Sequence, residues 1–145
     1  MNELLQWGLK IAGVSLVILC VASFWIPKAL DWKAKLVGLT PLMRELWWTY
    51  SCYVWASHVF FAVLALGFGD WMMGGSGAAV AMCAFILFWW SVRLGLQFFG
   101  FDFSEVNPTP FNRWAKHLLT LLFVGLVVLF GALVLWNLGV LKGGT

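Results

Sequence analysis

Four long apolar stretches, at residues 4–26, 46–68, 78–99 and 118–141, govern what this chain can fold into. A helix rising 1.5 Å per residue needs about 20 residues to cross a hydrocarbon core roughly 30 Å thick, and every stretch meets that length. Gln6 and Lys10 interrupt only the start of the first, where a lysine can snorkel to the surface. The second and fourth carry no formal charge, and the third carries only Arg93. None alternates apolar with polar residues, as the wall of a membrane barrel would. The expected fold is an all-α integral membrane protein, an antiparallel four-helix transmembrane bundle.

Composition excludes the soluble alternative. The chain is 63% hydrophobic and 10% charged, so it lacks the polar residues needed to cover a water-facing surface. Its 145 residues amount to one domain, with helices expected at about 4–26, 41–68, 78–99 and 110–141. The helix starts at 41 and 110 precede the apolar runs because Thr40-Pro41 and Thr109-Pro110 each read as an N-cap followed by proline at the first helical position. Pro27 is expected to close the first helix. Gly69-Asp70 and Gly74-Gly75-Ser76-Gly77 read as a short turn.

The charges between the runs set a direction. Lys28, Lys33, Lys35 and Arg44 fall in one connection, Arg113 and Lys116 in another, and Arg93 lies toward that same end. Only Lys10 and Lys142 fall on the other side. Seven against two places both basic connections in the cytoplasm of a bacterial inner membrane and both ends of the chain outside it. The first run then resembles an N-out anchor, since its positive charge follows the apolar stretch. Trp7, Trp71 and Trp136 fall at the outer rim, and Trp25, Trp32, Trp47, Trp48 and Trp114 at the inner one, where an amphipathic indole is favoured. Leu30, Trp32, Leu36, Val37 and Leu39, interleaved with lysines, suggest a short helix over 28–39 lying on anionic lipid. The sequence TPxxR occurs at 40–44 and again at 109–113, a spacing that admits two tandem hairpins.

Few residues carry chemistry. His58 lies near the middle of the second run and shares a helix face with Arg44 and Ser51 at seven-residue spacing. Arg93 has Trp89 one turn before it and Gln97 one turn after, and its expected partners are Glu45, Tyr50 or Tyr53. Trp55, Trp89 and Trp90 lie deep in their runs and, with His58, suit a flat aromatic pocket for a quinone or other planar lipid. Expected site residues are therefore His58, Arg93, Trp55, Trp89, Trp90, Tyr53, Glu45 and Gln97. A bis-histidine haem is disfavoured, since His117 lies ~18 Å from His58 in depth. A zinc site is disfavoured because Cys20, Cys52, Cys83 and the two histidines do not converge at one depth.

No HExxH, GxSxG, P-loop or paired-carboxylate motif occurs, which weighs against an enzyme. The small net charge of +3, split between connections, weighs against nucleic acid. The leading expectation is a non-catalytic accessory or scaffold subunit of a homo-oligomer or larger membrane complex. Gly125, Gly131, Gly74, Gly77, Ala81 and Ala84 offer small contacts for it. The alternative is a binder of quinone or another lipophilic ligand, redox-coupled through His58 and Arg93.

Overall fold

A computed structural model describes residues 1–29, 31–100 and 110–141, of which 29 and 110–113 are described by backbone alone. The described residues form helices and turns, with no strand among them. In chain order the helices are α1 (Asn2–Ser23), α2 (Ile26–Ala29), α3 (Trp32–Lys35), α4 (Pro41–Gly67), α5 (Gly69–Met72), α6 (Gly77–Phe99) and α7 (Pro110–Asn137), with a 3₁₀ turn at Leu36–Gly38. Four stretches, Asn2–Lys28, Pro41–Gly67, Gly77–Phe99 and Trp114–Asn137, are long and apolar enough to cross a membrane. Less than a third of each such stretch is buried within the chain, at 22–28%. Large apolar side chains such as Ile11, Phe88, Leu121 and Val128 stay exposed.

Helix ends follow from side-chain chemistry. The Thr40 hydroxyl accepts from the Met43 N–H at 3.4 Å and Pro41 opens α4, as the Thr-Pro pair implies. Ser76 caps α6 in the same way, accepting from the Ala79 N–H at 3.1 Å. Pro110 is the first residue of α7, whereas Thr109 lies outside the described residues, and so do the side chain of Arg113 and most of the second TPxxR connection.

Three boundaries differ from the sequence expectation. Pro27 does not close α1, which stops at Ser23, one turn earlier. Proline has no N–H to give the carbonyl four residues back and its ring crowds that carbonyl, so the disruption falls upstream of the proline itself. Phe24 and Trp25 accordingly turn back to Val21 and Ala22 in tighter three-residue bonds. Second, 28–39 is not one helix. The chain breaks after α2, Asp31 adopts a left-handed conformation (φ 47°), and α3 and the 3₁₀ turn follow as separate short turns. Third, α7 ends at Asn137, not 141. Gly139, at φ 81°, allows the Val140 N–H to reach the Leu135 carbonyl and its own N–H to reach Trp136, the paired bonds of a Schellman stop.

Hydroxyls on apolar helices find partners within the helix. Ser23, Thr49, Ser51, Ser57, Ser91 and Thr120 each donate to the carbonyl one turn back, at 2.7–2.9 Å. These six hydroxyls are thus satisfied by the carbonyls of their own helices.

The chain divides into two compact units, one of Met1–Gly8 with Gly69–Thr145 and one of Leu9–Phe68. In the first, α6 packs on α7. Ala79, Cys83, Ile86 and Trp90 on α6, and Phe123, Leu126, Phe130 and Leu133 on α7, are all buried at helical spacing. In the second, α1 meets α4 closely at Gly13, where a Cβ would come within 2.5 Å of Leu66 Cγ. In the first unit a Cβ on Gly8 would come within 2.7 Å of Leu129 Cδ1, whereas Gly125 and Gly77 have open space at that position.

Candidate functional site

The expected site residues divide equally between the two units: Glu45, Tyr53, Trp55 and His58 in one, Trp89, Trp90, Arg93 and Gln97 in the other.

In the unit containing α6 and α7, the half of the helix pair toward the C-terminal end of α6 is organised around Phe123. The Trp90 ring, wholly buried, lies 5.2 Å from the Phe123 ring at a 32° tilt. The Arg93 guanidinium lies over the same ring, 5.0 Å from its centroid. A cation over an aromatic face gains electrostatic attraction, worth more where water is scarce. One turn on, the buried Gln97 donates to the Thr120 hydroxyl at 3.5 Å. Trp89 takes a different direction and meets Phe85, with ring centroids 6.3 Å apart. Trp90, Arg93 and Gln97 are therefore brought together along the α6–α7 seam.

At the opposite end of that pair lies a polar cluster that the sequence reading missed. Asn137, only 8% exposed, donates from Nδ2 to the carbonyls of Met72 (2.7 Å) and Leu133 (2.9 Å) and accepts at Oδ1 from the Gly75 N–H (2.8 Å). The Cys83 thiol, wholly buried, points at the same Met72 carbonyl at 3.7 Å. One amide side chain thus ties the 72–75 turn to α7, in the way a buried polar group must be satisfied to be tolerated. Gln6 adds an exposed bond to Asp70 at 3.1 Å. The only sequence signal for this cluster was an asparagine at the end of an otherwise apolar run, opposite a glycine-rich turn.

In the other unit, His58 is buried and is the first of the inward residues of α4, followed by Phe61, Ala62, Leu64 and Ala65. The shared face of Arg44, Ser51 and His58 shows as graded burial: exposed, half-buried, buried. Ser51 spends its hydroxyl on the Trp47 carbonyl. Glu45 and Tyr53 are exposed, Tyr53 at 68%.

Trp55 sits otherwise than its count along the run suggests. Its indole N–H reaches the Cys20 carbonyl at 3.3 Å and its ring lies 5.4 Å from Phe24, so it is level with the last turn of α1. The reason lies in the connection. After Trp25 the chain turns and follows the start of α4, with Trp32 set edge-on against Trp47 and Trp48 at 5.3 and 5.7 Å. The first turns of α4 therefore extend past the end of α1. From Pro41 to Ala56 every residue is exposed except Ser51, which is half-buried.

Beyond Trp55, α1 and α4 enclose an apolar groove of about 510 Å³, lined by Val17, Val21 and Phe24 on one side and Trp55, Val59 and Leu66 on the other. Among its lining residues only Cys20 and Trp55 carry a polar side-chain atom, and the Trp55 N–H is already bonded to Cys20.

No group of three or more metal-ligating side chains occurs among the described residues. Comparison with protein-family models, curated proteins and solved structures finds no match.

Proposed function

We propose that this chain is a four-span protein of a bacterial inner membrane that serves as a non-catalytic accessory or scaffold subunit of a membrane assembly. The observation that carries the reading is the exposed start of α4. Leu42, Met43, Tyr50 and Tyr53 are 57–68% exposed on different sides of one helix, and apolar surface of that extent calls for lipid or a partner helix. The four apolar stretches supply the membrane part of the reading. Contacts along α6 and α7 pair Cys83 with Asn137, Trp90 with Phe123 and Gln97 with Thr120, so one number falls as the other rises, which supports an antiparallel bundle. The excess of Lys and Arg in the 27–45 and 100–117 connections supports cytoplasmic placement of both, with both chain ends outside.

Disulfide trapping tests the assembly. With the native cysteines replaced, Tyr50→Cys in native membranes is expected to cross-link into a species heavier than one chain, to a second copy or to a neighbouring subunit. A product that stays monomeric for Tyr50→Cys and for Tyr53→Cys alike contradicts the scaffold role.

A second reading, a binder of lipophilic ligand, is favoured by the α1–α4 groove. A quinone there would need a donor for its carbonyl oxygen, and the groove's indole N–H is engaged with Cys20. Hydrocarbon suits that wall better than a quinone ring.

A further inference from the structure

We infer that the Leu9–Phe68 unit holds one anionic phospholipid, with an acyl chain in the α1–α4 groove and its phosphodiester headgroup among Lys28, Lys33 and Arg44. The inference rests on the reading of this chain as a membrane protein and names the lipophilic ligand of its second form.

The groove has the dimensions and chemistry of one acyl chain. From Trp55 to Leu66 it follows eleven residues of α4, ~16 Å of helix, about the depth of one leaflet of a hydrocarbon core. Its wall presents methyl, methylene and ring carbon, and its indole N–H is bonded internally. Such a wall rewards hydrocarbon and offers an oxygen nothing stronger than the Cys20 thiol, a weak donor.

The end of the groove nearest Phe24 is where the basic connection begins. Phe24 lines the groove, and Lys28 follows it by four residues. Trp32 on α3 and the buried Leu36, which opens the following 3₁₀ turn, are four residues apart, and Lys33 between them is exposed. Trp32 rests on Trp47 and Trp48, so α3 is held against α4 and does not lie free on the bilayer. Arg44, also exposed, stands one turn before Trp48 on the same side of α4. One stripe of α4, at Arg44, Trp48, Ser51, Trp55, Val59, Ala62 and Leu66, thus runs from a guanidinium through two indoles into the groove at spacings of three and four. A cationic, tryptophan-walled mouth opening into a hydrocarbon-lined groove matches a lipid with a negative head and an apolar tail. Asp31 and Glu45 fall in the same connection, but Lys28, Lys33, Lys35 and Arg44 outnumber them.

The test uses the full chain, carbonate-resistant in membranes, purified in mild detergent and placed in nanodiscs of equal phosphatidylglycerol and phosphatidylcholine. Native mass spectrometry after detergent release then reads the retained lipid. The parent is expected to keep one phosphatidylglycerol per chain, enriched roughly thirtyfold or more over phosphatidylcholine by two to three near-surface cations. Lys28→Gln with Lys33→Gln and Arg44→Gln should keep a lipid but lose the preference. Val59→Trp, or Val63→Phe should the first fail to fold, should lose the lipid altogether. Inorganic phosphate in excess should leave the lipid in place. Equal retention of both lipids by the parent overturns the inference, and so does unchanged retention in the groove-filled variants or displacement by phosphate. A chain released from membranes by carbonate defeats the membrane reading and this inference together. Lost preference in a carbonate-resistant parent defeats the inference alone.

Discussion

Trp55 donates its indole N–H to the main-chain carbonyl of Cys20 at 3.3 Å, a carbonyl that α1 itself no longer uses. In a continuing helix the N–H of Phe24 would occupy it, but Phe24 bonds Val21 instead, because Pro27 has already broken the ladder. A side chain from α4 thus caps the end of α1. Trp55→Phe keeps most of the ring and removes the donor, and is expected to cost about 1 kcal/mol of stability. Reversible unfolding in mixed micelles with added SDS reads that loss; no change means another donor takes the carbonyl.

Asn137 is expected to be the most sensitive polar position in its unit. Asn137→Leu leaves the Gly75 N–H and the Met72 carbonyl to find other partners in a buried setting, at about 1–3 kcal/mol for each group left unsatisfied. Limited proteolysis should show faster cutting near Gly74-Gly75 in the variant. Cutting at the parental rate would mean the turn holds without the asparagine.

Much of the architecture was legible because length and hydrophobicity along the chain are strong signals. The Thr40-Pro41 start of α4 and the Ser76 cap of α6 follow from local chemistry that tertiary contacts do not override. The early end of α1 is legible too, in the clash of Pro27 with the turn before it. The level of Trp55 was not. It depends on how the 24–38 connection folds back, and that is decided by Trp32 meeting Trp47 and Trp48, a contact no spacing announces. The role of Asn137 is hidden for the same reason: two of its main-chain partners lie more than sixty residues away.

Arg93 carries a separate expectation. Its contact with the Phe123 face should appear as a coupling energy between the two positions, about 0.5–2 kcal/mol in a double-mutant cycle of Arg93→Met and Phe123→Leu. Arg93→Lys should recover only part of it, since an ammonium lacks the planar stacking of guanidinium. Additive single mutants would show that the contact with the Phe123 ring contributes no coupling.

The central claim, that the four apolar stretches span a membrane with the basic connections inside, is tested most directly by cysteine accessibility. In a background lacking Cys20, Cys52 and Cys83, Lys35→Cys and Thr145→Cys are each exposed to a membrane-impermeant maleimide. Thr145→Cys is expected to react in intact cells, and Lys35→Cys only after the membrane is opened. Reaction of Lys35→Cys from outside intact cells would contradict the account.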